Sequence, residues 1–294
     1  MRWYDRITKI DRRIIYILLT ALVIIPFFVK VTIPQNIMPQ TKRLFDFIES
    51  IPVNDKAVMI SFDYSPQTQP ECHPMAKAIL RHCFSRGLPI IALSFDPQAP
   101  GLAVDALTTI AHEFDSLAMS KEDSLVYGVD YVYLGWKSGR IAAQLDMGES
   151  IAGVFPRDYY GNLIDSFPLM NRVRNYKNVA IAVVLASADY PLDWIRYPQT
   201  RYGVKVGAGL TAVMAPKYYP FVQTGQVSGL MSGMKGAAEY EKLVLEHGYA
   251  RTLGNAETGM NSQSMIHILI MIFIILGNVG YFFSRRGERR GRNE

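Results

Sequence analysis

The chain has 294 residues, 49% hydrophobic and 19% charged, with two cysteines, five histidines and a formal net charge of +5. That composition excludes a disordered chain, and two cysteines exclude a disulfide scaffold or a cysteine-rich zinc module. Residues 2–13 and residues 284–294 each carry five basic against two acidic side chains, a net of +3, so the remainder nets −1. The long central region therefore has no basic excess with which to hold nucleic acid, and no nucleic-acid partner is expected.

Taken in chain order, residues 1–13 form a basic tail. The run Ile14 to Val29 contains no acid, lysine or arginine. At about 1.5 Å per residue it falls slightly short of a bilayer core of about 30 Å. Tyr16, Phe27 and Phe28 at the interfaces and a snorkelling Lys30 extend its reach, so a transmembrane helix is expected over 14–30. No small-x-small cleavage site follows Val29, which predicts an uncleaved anchor. Residues 31–56 read as a proline-containing stalk and an amphipathic helix capped by Thr41, with Leu44, Phe45, Phe47 and Ile48 on its apolar face.

An α/β domain is expected over 57–250. Continuous apolar runs predict strands at Ala57–Phe62, Pro89–Phe95, Asp130–Leu134, Val179–Ala186 and near Val204–Val206. Helical spacing predicts helices over 70–85, 102–117, 140–146, around Leu192–Arg196, and from about Gln223 to His247. Cys72 and Cys83 share the first of these, about 16 Å apart and too far for a disulfide. The stretch Gly148 to Tyr176 reads as a long excursion over the sheet's ligand edge. Met265 to Phe283 predicts a second span, over 265–283, before the basic tail 284–294. The fold class expected is α/β: a doubly wound, mostly parallel sheet, Rossmann-like or flavodoxin-like, between two transmembrane helices. Short basic flanks stay inside, which puts both termini in the cytoplasm and the domain outside the cell membrane.

Four features are candidates for chemistry or contact. Strands one and two end in an echo, Ser61-Phe62-Asp63 and Ser94-Phe95-Asp96, and Asp189 falls just past the fourth strand. Carboxylates at the carboxyl edge of a parallel sheet can bind a cation or exchange protons, and can equally cap their own turns. Trp136, Lys137 and Arg140 lie in GWKSGR between a strand and a helix, where cations and free amides can cradle an anion. Gly207-Ala208-Gly209-Leu210-Thr211-Ala212 fits G-x-G-x-x-A, but Pro216 would break the helix that a dinucleotide fingerprint needs, so no cofactor is expected. Gly225, Gly229, Gly233 and Ala237 recur every four residues. On one helix they make a glycine zipper, a smooth groove for an internal neighbour or a second copy. The turn before it presents Tyr218, Tyr219 and Phe221 as partner contacts.

The histidines form no ligand set, His73 and His82 being nine residues apart, and no catalytic residue or metal site is assigned. The layout is similar to that of two-span prokaryotic membrane proteins with an extracytoplasmic α/β domain, a likeness of architecture that implies no activity. The reading is a non-enzymatic, membrane-anchored scaffold or accessory subunit. Its partners are the lipid bilayer and either further copies of itself, as a homo-oligomer, or another membrane protein. The alternative is an extracytoplasmic small-ligand-binding protein or metal-assisted hydrolase, with its site at the carboxyl edge around Asp63, Asp96, Asp189, Trp136, Lys137 and Arg140.

Overall fold

A computed structural model describes residues 11–28, 36–53, 56–117, 124–251 and 254–291. Val29 and Lys30 of the expected first span, residues 31–35 of the stalk and most of the N-terminal tail lie outside the described residues. The chain divides into two compact units: Gln35–Glu257, and a second that joins the described parts of Met1–Pro34 and Thr258–Glu294.

The larger unit is built on six parallel strands, β1 (Ala57–Asp63), β2 (Ile90–Ser94), β3 (Tyr131–Trp136), β4 (Val179–Ala186), β5 (Lys205–Leu210) and β6 (Leu230–Ser232), in the order β3-β2-β1-β4-β5-β6. The order reverses between β1 and β4, the arrangement of a doubly wound sheet. Every residue of β1 and β2 is buried, because a parallel sheet is covered on both faces. The helices are α1 (Arg12–Phe28), α2 (Pro39–Glu49), α3 (Gln69–Ser85), α4 (Pro100–Leu117), α5 (Arg140–Asp146), α6 (Tyr190–Trp194), α7 (Gly233–Glu246) and α8 (Asn255–Gly291), with further short turns of helix between β3 and β4 and after α6.

Alternation along β5 separates the two faces. Gly207 and Gly209 meet Leu44 of α2 and Met75 of α3, while Val206, Ala208 and Leu210 join the core cluster under the shorter helices. A Cβ at Gly207 would lie 2.6 Å from Leu44 Cδ1, and one at Gly209 2.6 Å from Leu185 Cδ2. The G-x-G-x-x-A stretch thus begins inside a strand and serves packing. The excursion between β3 and β4 supplies Ile151, Phe155, Ile164, Leu169 and Tyr176 to the same core cluster. It also covers the β3 edge, where Tyr159 N–H donates to the Tyr133 carbonyl (2.9 Å) and Tyr127 Oη accepts the Tyr133 N–H (3.3 Å).

Three expectations need correction. The glycine series does not lie on one helix. Gly225 occupies a turn at φ +77°, Gly229 precedes β6, and Gly233 opens α7 at φ +59°; only Ala237 is inside the helix. A Cβ at Gly229 would overlap the backbone of Leu44, so that glycine admits α2 against the sheet and makes no external groove. Tyr218 is fully buried and so offers no contact surface, while Tyr219 and Phe221 are partly buried against the core. Finally, α2 starts at Pro39, and Thr41 lies within its first turn, its hydroxyl donating to Glu239 (2.7 Å).

Ala256–Phe283, which from Thr258 on belongs to the smaller unit, is long and apolar enough to cross a membrane. α1 has 17 residues, about 25 Å, so length and composition mark one spanning helix among the described residues where two were expected.

Gly229→Ala should force α2 from the sheet and destabilise the protein by about 1–3 kcal/mol, as overpacking does. Gly101→Ala, at a helical position of α4 with open space and no positive φ, should cost less. Denaturant unfolding of the full chain in detergent checks the order.

Candidate functional site

Ligands of open α/β sheets bind beyond the carboxyl ends of the strands, near the point where strand order reverses. Here that place lies beyond β1 and β4. Asp63, the last residue of β1, is fully buried. Its Oδ1 accepts the backbone N–H of Phe95 (2.7 Å) and of Asp96 (3.3 Å), and its Oδ2 accepts the Ser61 hydroxyl (2.5 Å). Asp63 therefore ties the end of β1 to the loop after β2. Burial pushes its carboxyl up to about 7; the three hydrogen bonds oppose that, and the nearby Asp96 charge adds to it.

Asp96 is used twice. Its Oδ1 accepts the Gln98 N–H (2.8 Å) in a local turn, and its Oδ2 accepts the Tyr190 hydroxyl (3.3 Å). Tyr190 opens α6, just after β4. The Arg140 guanidinium lies 4.5 Å from the centre of its ring, and Arg140 Nη2 pairs with Asp193 Oδ2 at 2.5 Å. Burial, and then the charges of Asp96 and Asp63, push the Tyr190 phenol up to about 12. Asp63, Asp96, Tyr190, Arg140 and Asp193 thus form one connected cluster across the ends of β1, β2, β3 and β4.

Asp189 does not join it. Both its oxygens accept from Lys217 Nζ (2.8 Å each), which turns it toward the loop after β5. The three aspartates of the sequence pattern therefore do not converge. Among the described residues no group of three or more His, Cys, Asp or Glu is arranged to hold a metal ion. In GWKSGR, Trp136 is 45% exposed but pinned, its Nε1–H donating to the Phe95 carbonyl (3.1 Å). Lys137 Nζ donates to the Val154 carbonyl (2.7 Å) and lies 5.7 Å from the Phe155 ring centre. Both cations of the anticipated anion cradle already have partners.

Beside this cluster, where β3 gives way to α5, an open crevice of about 520 Å³ is bounded by Lys137, Gly139, Ala142, Asp146, Ser150 and Gly153, among others. None of Asp63, Asp96, Tyr190, Arg140 and Asp193 lines it. On the buried side of α5, both amide atoms of Gln144 lack a hydrogen-bond partner, as does Trp194 Nε1.

Sequence reasoning missed Tyr190 and Asp193. The spacing of Tyr190 and Asp193 on one helix turn after β4 was the available signal, and attention to Asp189 alone passed over it. It also missed two Tyr–His–carboxylate chains on α3. His73 links Tyr64 Oη (2.8 Å) to Asp105 (2.8 Å), and His82 links Tyr240 Oη (2.8 Å) to Glu49 (2.8 Å). Burial lowers both imidazoles, His82 to about 4, so these are neutral structural ties. Comparison with protein-family models, curated proteins and solved structures finds no match.

Asp63 carries a pH signature. Its folded value of about 7 exceeds the ordinary 3.8, so the folded state holds the proton more tightly. Its stabilising contribution is complete below about pH 4 and is lost as pH rises through about 7, at no more than about 1.4 kcal/mol per pH unit. Asp63→Asn should flatten that part of the stability profile between pH 5 and 8; an unchanged slope in chemical unfolding would show that Asp63 is ionised throughout.

Proposed function

We propose that this chain is a membrane-anchored, small-ligand-binding protein whose ligand enters the crevice at the carboxyl edge of the sheet. The observation that carries the reading is the 520 Å³ opening where β3 passes into α5, beside the Asp63–Asp96–Tyr190–Arg140–Asp193 cluster. Volumes of this order suit small molecules, and α/β sheets bind them at this edge. The scaffold reading loses the single helical groove it was drawn from, because Gly225, Gly229 and Gly233 lie on three different elements, Gly229 is occupied by α2, and Tyr218 is buried. The crevice walls mix one lysine, two carboxylates and serines, which favours a polar ligand with groups of both signs. No bond to a reacting atom is assigned, and the reading is of a binder.

The anchor is α8, paired in this proposal with α1 as a shorter second span. Supporting the pair, the Ser262 hydroxyl donates to the Val23 carbonyl (3.2 Å). Serine hydroxyls commonly bond backbone carbonyls of neighbouring helices in membranes. A contact between the end of α1 and the start of α8 suits an antiparallel pair with both termini on one side. With the basic tails, that side is the cytoplasm and the domain is extracytoplasmic.

Ala142 is exposed and lines the crevice, so Ala142→Trp fills the space without entering the core. A panel of amino acids, sugars, nucleotides and organic acids should contain a compound that raises the Tm of the wild-type chain. At a hundred times Kd the rise is about 5–10 °C, and Ala142→Trp abolishes it. Equal stabilisation of both proteins, or of neither across the panel, contradicts the site. For the topology, cysteines introduced into either tail should react with an impermeant reagent only after cells are opened; labelling of one tail in intact cells sinks the two-span arrangement.

A further inference from the structure

α7 is buried on nearly every side, yet it carries two glutamates two residues apart. Two residues turn about 200° around a helix, so the acids leave on opposite sides. Each reaches the start of another helix. Glu239, 1% exposed, accepts the Met38 N–H (3.1 Å) and the Thr41 hydroxyl (2.7 Å) where the chain enters the domain. Glu241, 5% exposed, accepts the amides of Ala256 and Glu257 in the first turn of α8, where the chain leaves.

The geometry at Glu241 is specific. Gly254 lies against its carboxylate, and a Cβ at that position would overlap the carboxylate. Oε2 is buried without a hydrogen-bond partner; Glu239 Oε1 also lacks one but lies 3.6 Å from Lys235 Nζ. Burying an ionised carboxylate with an unbonded oxygen costs more than burying the neutral acid, whose unpaired hydroxyl carries a smaller penalty and whose other oxygen still accepts the amides. The charged groups facing it are Arg81 of α3, which is paired with Glu113 of α4 at 2.8 Å, and Glu257 of α8 itself. The cation is shared with another acid, and the second neighbour repels.

We propose that Glu241 is a proton-operated clasp on the junction between α7 and α8: protonated, it stays buried and holds the first turn of α8; ionised, it favours water and the junction opens. Burial raises this carboxyl to about 7 from an ordinary 4.5, while Arg81 and the two amides pull the other way. The closed junction therefore binds the proton more tightly than the open one. Opening becomes easier as pH rises from about 4.5 to 7. Glu239, on the opposite side, keeps the entry segment fixed in this scheme, so the switch acts on the exit alone.

The experiment is hydrogen exchange at the amides of Ala256 and Glu257 in the full chain in lipid nanodiscs, corrected for intrinsic base catalysis. Protection should fall by about tenfold or more between pH 5.5 and 8 in the wild type. It should stay level in Glu241→Gln, which keeps the amide bonds and cannot ionise. Level protection in the wild type, or an equal fall in Glu241→Gln, overturns the clasp. Should Glu241→Gln fail to fold, the wild type labelled with ¹³C at its glutamate carboxyls decides the matter by infrared spectroscopy. A buried-acid carbonyl band that persists to near-neutral pH supports the clasp; glutamates that are all ionised by pH 5.5 refute it.

Discussion

The larger unit depends on the burial of α7. A helix with glutamates on both sides can be enclosed only if each acid finds donors, since leaving one charge unpaired in the interior costs several kcal/mol. The donors available are the start of α2 and the first turn of α8. Meeting that demand fixes where the chain comes in and where it goes out. The rest of the helical layer follows from it: α7 packs along α3, and His82 of α3 accepts the Tyr240 hydroxyl while stacked between Phe45 and Tyr249 at ring-centre distances of 4.3 and 5.4 Å. Glu49 closes the network by accepting from His82, Arg86 and Tyr249. A neutral histidine suits this position because it donates through one ring nitrogen and accepts through the other.

This explains what could be read from residues alone and what could not. The strands were legible because a sheet covered on both faces demands unbroken apolar runs, and Val179–Ala186 is such a run. The α5 boundaries were equally plain, with Gly139 before the helix and polar residues after it. The glycine series misled because a spacing of four is shared by two different causes. Close packing at a turn, a strand entrance and a helix start, each imposed by a separate neighbour, produced the same pattern as one smooth helix face. β6 was lost to the same error, being three residues long and set between two of those glycines. The buried acids of α7 were not legible because their partners lie far from them in sequence or are backbone amides, which no side-chain pattern announces.

The candidate site was half legible for a related reason. Asp63 and Asp96 stand out as an echo at the ends of adjacent parallel strands, and the register between β1 and β2 brings those ends together. Which way Asp189 turns depends on Lys217, a residue 28 positions on, and local pattern holds no trace of it. The outcome is a carboxyl edge where Asp63, Asp96, Tyr190, Arg140 and Asp193 are tied to one another, with an open volume beside α5. A protein that used this edge for metal chemistry would need free carboxylates. One that binds a ligand beside a hydrogen-bonded frame needs only the crevice and a fixed wall, to which Lys137 contributes through its bond to the Val154 carbonyl.

The most direct test of the central role of α7 is native-state hydrogen exchange across the whole larger unit at increasing denaturant. If α7 fastens both chain ends, the amides at the start of α2, those of α7 and those in the first turn of α8 open together, with one free energy and one denaturant dependence. Opening of the α2 start at markedly lower free energy than α7, with α7 still protected, would mean that Glu239 is a bystander and that the fold is held elsewhere.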